Sequence, residues 1–429
     1  MERVDVLIAG GGIAGLAMAL TCHEIGVEAT VYESARALRP IGVGINLQPN
    51  AVRELHDMGL AGELAAIGVP TREWALAERN GRDVWSEPRG LAAGYRWPQF
   101  SVHRGRLQMM LYDAVCDRLG PDAVVTGHRL AGYESEASGA TTALFETDTG
   151  TSAIEGQVLI GADGLRSAAR AQMYPEEGEP LWGGAVLWRG TAEGLPIRTG
   201  ASFVLVGTME QRFVTYPISS PDPVTGLQTH NWIAELTFDP ADGWRRSDWN
   251  TRVGIGDFID AFADWRYDWL DVPAMIRDAD EVFEYPMVDR DPVARWVDGS
   301  TALIGDAAHV MYPVGSNGAS QAIVDARVVG REILTHGVGV DALLAYESAL
   351  LDDMSALVLR NRGAGPISIL GIVEERRRDS PGATLDDGDD LIPRGEIEEF
   401  MAGYKAAAGF AIEELNAAPR TIPLSVPGR

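Results

Sequence analysis

Cysteine is scarce in this chain: Cys22 and Cys116 are the two in 429 residues. A disulfide framework is thereby excluded, and the composition suits a reducing cytoplasm. Cys22 falls in an apolar helical pattern and reads as a small core residue. Basic residues are also in deficit. Lys and Arg number 36 against 62 Asp and Glu, a net charge of −26. Nucleic acids and anionic membranes are polyanions and make poor partners for such a surface. No apolar run approaches the ~20 residues that a membrane helix needs. No leader pattern is expected, because Met1-Glu2-Arg3 runs directly into a predicted strand. His and Cys clusters at metal-ligand spacing are missing, as are a Ser-His-Asp arrangement with supporting context and any internal repeat. The acidic run Asp386-Asp-Gly-Asp-Asp390 does not match an EF-hand loop and reads as solvated.

What is present begins at the N-terminus. Residues 4–9 read as a buried parallel strand, and Gly10-Gly11-Gly12-Ile13-Ala14-Gly15 follows as G-x-G-x-x-G. An apolar helical run spans Ile13 to Ile25, and a second strand, Glu28 to Tyr32, ends at Glu33. Gly10 permits the tight turn, Gly12 lets backbone approach a pyrophosphate, and Gly15 lets helix and strand lie close. The helix start, with Ile13 and Ala14, offers free N–H groups and a positive dipole end to phosphate. Glu33 lies 18 residues beyond Gly15, near the spacing of about 20 for a ribose-binding acid. The motif specifies a dinucleotide without separating NAD from FAD.

Farther on, residues 74–85 alternate with period two around Asn80-Gly81, which predicts a type I′ hairpin. A helix is predicted over Arg104–Leu119. From Leu181 to about Pro286 the chain is strand-rich and aromatic, a pattern that suits an ordinary sheet core or the roof over a planar ligand equally. Helical patterning covers Ala51–Leu64, Asp257–Trp265, Ala319–Leu334 and much of 341–429. Dinucleotide-type segments (1–72, 101–171, 291–340) thus alternate with sheet segments (73–100, 172–290), and 341–429 forms a C-terminal helical segment. The fold class is α/β: a Rossmann-like domain interleaved with an antiparallel-sheet domain, sharing a long cleft suited to a small molecule.

Two further turns follow short strands: Gly161-Ala162-Asp163-Gly164-Leu165-Arg166-Ser167 and Gly305-Asp306-Ala307-Ala308-His309. Two phosphate-facing turns that close on one molecule favour FAD. The three motifs, in this order and spacing, resemble those of the single-component aromatic flavoprotein monooxygenases, the p-hydroxybenzoate hydroxylase-like family, over about residues 1–375. Residues 39–49, 84–90, 103–109, 285–292 and 311–321 are similar to its phenazine-oxidising members.

This resemblance implies a glutathione reductase-type FAD-binding domain and a substrate-binding sheet. Glu33 would hold the adenosine ribose, Arg104 the ribityl–pyrophosphate region, and the main chain at Leu130 the adenine. Asp306 would accept a hydrogen bond from a ribityl hydroxyl. Asp163 and Gly164 match the motif tied to both FAD and NAD(P)H. Gly315-Ser316-Asn317-Gly318 would open a helix toward the flavin N1–C2 edge, where charge gathers on reduction. Pro313 would stiffen the turn beside the ring.

The resemblance further implies NADH or NADPH as transient electron donor, dioxygen as co-substrate, and oxygen transfer from a flavin C4a-hydroperoxide to a small aromatic substrate, hydroxylating it or decarboxylating it oxidatively. A cytoplasmic monomer or homodimer is expected. Arg189, Tyr216 and His230 are the polar candidates on the sheet. Arg189 suits a substrate carboxylate or a structural ion pair; His230 and His309 read as structural. A flavin oxidase taking hydride from its substrate and a non-catalytic flavin module remain alternatives. A halogenase is disfavoured, since no W-x-W-x-I-P motif occurs.

Overall fold

The run Val6-Leu7-Ile8 has no polar face, and all three side chains are fully buried. Such a strand belongs in the middle of a parallel sheet covered on both sides. In the computed structural model, which describes residues 3–135, 139–242, 251–379 and 392–424, the strand Arg3–Ala9 pairs in parallel with Ala29–Glu33 and with Gly150–Gly161. Val124–Thr126 and Thr301–Leu303 extend the sheet, also in parallel. Two helices lie against this sheet with the predicted bounds, α1 (Ile13–Ile25) and α2 (Arg104–Leu119). Farther along come α3 (Ala168–Met173), the single turn α4 (Asp306–His309) and α5 (Gly318–His336). The C-terminal part adds α6 (Val340–Arg362), α7 (Ser368–Asp379) and α8 (Arg394–Ala407). Asp386 to Asp390 lie outside the described residues.

A second eight-stranded sheet runs, in spatial order, Thr251–Arg252, Phe283–Asp289, Leu181–Gly194, Gln228–Thr237, Gln211–Pro217, Ser202–Gly207, Glu73–Glu78 and Asp83–Pro88. Its pairings are antiparallel except for Ser202–Gly207, which lies parallel to Glu73–Glu78. A chain segment from the first quarter therefore forms one edge of a sheet made otherwise by residues 181–289.

Three local expectations are corrected. The hairpin at Asn80-Gly81 forms, but not with a type I′ turn, which needs positive φ at both residues. Only Gly81 has it (φ 84°). Gly81 N–H donates to the Glu78 carbonyl and Glu78 N–H to the Arg82 carbonyl, so the loop has three residues and the pairing shifts register after Leu76. The helical pattern over Asp257–Trp265 resolves into two 3-10 turns, Ile255–Asp257 and Ile259–Phe262. Phe258, Phe262 and Trp265 do share a face, but it packs on the back of the second sheet, where Phe258 stacks on Trp188 at 4.7 Å. The helical run predicted over 51–64 is broken at Gly59 (φ 76°) into Pro49–Asp57 and Ala61–Ile67.

The aromatic question of the sheet also resolves. Trp188, Phe213 and Trp232 sit in that back-face cluster, because strand alternation sends each to the face opposite its sequence neighbours, Leu187 and Arg189 in the case of Trp188. The opposite face, carrying Leu187, Val214, Tyr216 and Ile233, borders a cavity. Among the described residues no helix is long and apolar enough to cross a membrane, and no group of three or more His, Cys, Asp or Glu is placed to hold a metal.

Candidate active site

A cavity of about 370 Å³ lies between the glycine-rich turns of the first sheet and the front face of the second. Its floor starts at α1. Gly12 is the N-cap residue, in extended conformation (φ −77°, ψ −175°), with no side chain capping the helix. A Cβ built on Gly12 meets nothing within 4 Å, so this position borders open space. Gly15 is different: its Cβ would stand 2.0 Å from the Gly10 carbonyl oxygen, which is why helix and turn can touch there. Gly10 itself turns at φ 108°. Ile13 and Ala14, at the helix start, line the cavity. Glu33, at the end of its strand, accepts the Gly11 N–H at Oε2 (2.6 Å) and the Ala35 N–H at Oε1 (2.6 Å). Its carboxylate is thus held at the turn. Gln108 of α2 braces the other side by donating to the Gly11 carbonyl (2.8 Å).

Arg104 opens α2, is exposed, and lines the cavity. Leu130 is buried in the strand Arg129–Ser135 opposite Phe145 and does not border this cavity. Gly164 (φ 78°) lines it, whereas the half-buried Asp163 uses Oδ2 to cap α3 at Ala168 N–H (2.7 Å). Burial raises the Asp163 pKa against the pull of Ser167 and the helix N–H groups. Its Oδ1 has no partner among the described residues.

Asp306 is the exposed first residue of α4 and lines the cavity. Behind it, Asp325 of α5 accepts both the Gly305 N–H (2.8 Å) and His309 Nε2 (2.7 Å). Burial opposes a charge on His309, but the Asp325 carboxylate, by charge and hydrogen bond, prevails, and the pKa is raised. This pair stabilises the turn when His309 is protonated. Its contribution is therefore full below the usual histidine value of about 6.5 and is lost as pH rises through the higher folded value. His309→Gln is expected to flatten the loss of thermal stability above about pH 6.5; an unchanged profile would remove His309 as its source.

At the start of α5, Gly315, Ser316 and Gly318 line the cavity, and Pro313 borders it. Asn317 was expected there and is not. Its side-chain amide donates instead to Tyr404 Oη of α8 (2.6 Å). Tyr404 Oη also donates to Asn361 Oδ1 (2.8 Å) and lies 3.2 Å from the Val314 carbonyl. A Cβ on Gly315 (φ 86°) would stand 1.9 Å from that hydroxyl. The glycine is thus required by Tyr404, some ninety residues downstream, as well as by any ligand.

On the sheet, Arg189, Tyr216 and Asn231 converge on Gly44. The Gly44 carbonyl accepts from Arg189 Nη2 (2.6 Å) and Tyr216 Oη (2.7 Å), and Gly44 N–H donates to Asn231 Oδ1 (2.7 Å). Arg189 lies over the Tyr285 ring (5.6 Å) and makes no ion pair among the described residues. The ion-pair alternative is thereby set aside. Burial raises the Tyr216 pKa even with Arg189 beside it, so the phenol stays protonated and acts as a donor. His230 is buried, lies 3.1 Å from the Leu195 carbonyl and does not border the cavity; burial lowers its pKa.

Comparison with known proteins decides the family. A family model described as an FAD binding domain matches residues 3–185 and 273–358. A phenazine 1,6-dicarboxylic acid hydroxylase of Lysobacter antibioticus is 42% identical over 364 residues, 84% of this chain and 89% of that protein. The chain belongs to the FAD-dependent aromatic monooxygenases.

An aurachin C monooxygenase/isomerase of Stigmatella aurantiaca is also similar, at 31% identity over 85% of the monooxygenase described here and 89% of that protein. Among solved structures, Klebsiella pneumoniae HpxO complexed with FAD and uric acid aligns at a TM-score of 0.70 and 24% identity, covering 93% of this chain and 97% of that one. At that identity it shows a shared fold. FAD is the cofactor, and the monooxygenase is an oxidoreductase acting on aromatic rings. Its cavity fits that cofactor: three glycine-rich turns and two helix starts without side-chain caps, at Gly12 and at Gly318, border one space.

Three contributors are not singled out by the sequence: Gln108, Tyr404 and Gln48, whose Nε2 donates to the Gly315 carbonyl (2.9 Å). Each acts through a contact between distant segments.

Proposed function

We propose that this monooxygenase takes electrons from NADH or NADPH and hydroxylates a carboxylated polycyclic aromatic of the phenazine type, with loss of the carboxyl group as one variant of the outcome. The reading rests on Arg189: a guanidinium without a carboxylate partner among the described residues, beside Leu187, Val214 and Ile233, in the cavity that the flavin-type turns also border. The Lysobacter relative is named for a phenazine dicarboxylic acid, and other relatives for 3-amino-4-hydroxybenzoate, which agrees with an acid group on the ring.

Bound FAD, once reduced, supplies the activation of dioxygen. The chain's own groups would hold and shield it. N–H groups at Gly12, Ile13 and Ala14 face the pyrophosphate and Arg104 offsets its charge. Glu33 holds the ribose, and the main chain at Leu130 meets the adenine. Asp306 accepts from a ribityl hydroxyl, and Asp163 with Gly164 shapes the middle turn. The start of α5, at Gly315 and Gly318, stabilises negative charge at the ring edge, with Pro313 stiffening the approach. Arg189 orients the substrate carboxylate, and Tyr216 fixes the Gly44 backbone beside it. The C-terminal helices keep water out.

The test is anaerobic reduction of the holoenzyme by NADH and by NADPH with a panel of aromatic acids. A phenazine carboxylate should accelerate flavin bleaching, and aerobic turnover should yield product carrying one added oxygen. Bleaching by substrate alone would favour an oxidase; no acceleration by any aromatic would end the proposal.

A further inference from the structure

At the edge of the cavity away from Arg189, Arg89 follows the strand Asp83–Pro88 and is 6% exposed. Its guanidinium lies over the Trp74 ring (5.3 Å) and pairs with Glu87 Oε1 (2.7 Å). The other oxygen of Glu87 accepts from Lys405 Nζ of α8 (2.9 Å). Arg89 and Glu87 side chains are 8% and 10% exposed, and that of Lys405 is 13%.

The charges of this cluster do not balance. Two cations share one carboxylate, so an excess positive charge is held nearly out of water. Buried charge is costly unless paired. Arg89 lines the cavity, and its Nε has no hydrogen-bond partner among the described residues. The pair Arg212–Glu235, which also lines the cavity, is by contrast one to one. The Lys405 pKa is lowered, by burial first and then by the charge of Arg89, as expected where positive charge is in surplus.

Resting on the function proposed above, we infer that Arg89, steadied by Glu87 and Lys405, is a second anion subsite that takes a carboxylate of the aromatic substrate. A carboxylate there would pair with the Arg89 guanidinium and neutralise the cluster. Arg189 and Arg89 rise from strands five spacings apart in the sheet, roughly 24 Å between backbones at about 4.8 Å per spacing. Two arginine side chains and one benzene ring do not fill that width. A polycyclic aromatic carrying two carboxylates does so better, and this is the substrate class the two cations select. The subsite also involves the C-terminal helix α8 in substrate choice.

The experiment measures dissociation constants for phenazine-1,6-dicarboxylate, phenazine-1-carboxylate and unsubstituted phenazine by perturbation of the flavin absorbance, using FAD-replete protein, Arg89→Gln, Arg89→Lys and Arg189→Gln. Wild type should prefer the diacid. Arg89→Gln should weaken the diacid by about 30-fold or more, as for truncation of a buried charge pair, and change unsubstituted phenazine by less than about threefold. Arg89→Lys should recover part of the loss. Substrate-free Arg89→Gln should melt no lower than wild type, since Glu87 and Lys405 remain as a neutral pair. Equal diacid affinity in wild type and Arg89→Gln overturns the subsite, as does a lowered melting temperature with affinity intact, which marks a purely structural cation. If wild type binds the diacid and only Arg189→Gln loses it, the subsite falls while the function proposed above stands. If wild type binds neither acid, both fall.

Discussion

Gly12→Val is expected to give a folded protein that purifies without flavin. The backbone at Gly12 (φ −77°, ψ −175°) is one that valine adopts readily, and a Cβ there meets no protein atom within 4 Å. The fold therefore has no reason to object. The added methyl groups would instead occupy the space where a pyrophosphate must approach the start of α1. Overpacking of that kind costs ~3 kcal/mol at the upper end, which corresponds to about a 100-fold weaker FAD dissociation constant. Absorbance of the purified variant and titration with FAD check both halves of the expectation. Stoichiometric yellow protein would show that this turn is not the pyrophosphate cradle. Gly15 is no substitute for this test, because its Cβ would collide with the Gly10 carbonyl and damage the fold itself.

The second large effect is expected at Tyr404. Its ring is 2% exposed, and its hydroxyl joins α8 to Asn317, Asn361 and the Val314 backbone. Tyr404→Ala deletes a buried aromatic side chain, which costs about 3–5 kcal/mol, and it strands the Asn317 amide and the Asn361 carbonyl. Tyr404→Phe keeps the ring and removes the hydroxyl alone, at about 1–3 kcal/mol for the partners left unsatisfied. Thermal unfolding should rank wild type, Phe and Ala in that order. The Ala variant should also bind FAD more weakly, since the loop before α5 loses its anchor. If Ala melts like wild type, the C-terminal helix is not a structural part of the site.

The dinucleotide-type half was legible from residue types because its signals are local. The strand of Val6, Leu7 and Ile8, the glycine turn and the helix Ile13–Ile25 lie within one continuous stretch, and each obeys a rule of backbone conformation or close approach. The helix Arg104–Leu119 is likewise marked by its own periodicity. The sheet half was harder. Its strands were found, but the direction in which each aromatic points depends on which face meets the cavity, and alternation alone does not choose. Trp188 and Trp232 went to the back face. Phe258, Phe262 and Trp265 have a helix-like spacing, yet packing against that face held them in short 3-10 turns. Asn317 was placed correctly at a helix start, but its side chain is taken by a tyrosine 87 positions away.

By itself, then, the chain determined the cofactor half: glycine freedom, apolar strand runs and helix starts act over a few residues, so their order in sequence is enough to shape the three turns. The tertiary structure alone decided what stands across the cavity from the glycine-rich turns. Among the described residues Arg189 is left without an ion pair and set beside Gly44, while Arg89 is linked to Lys405 of α8 through Glu87. These are balances of charge and burial between segments more than a hundred residues apart, and no local pattern encodes them.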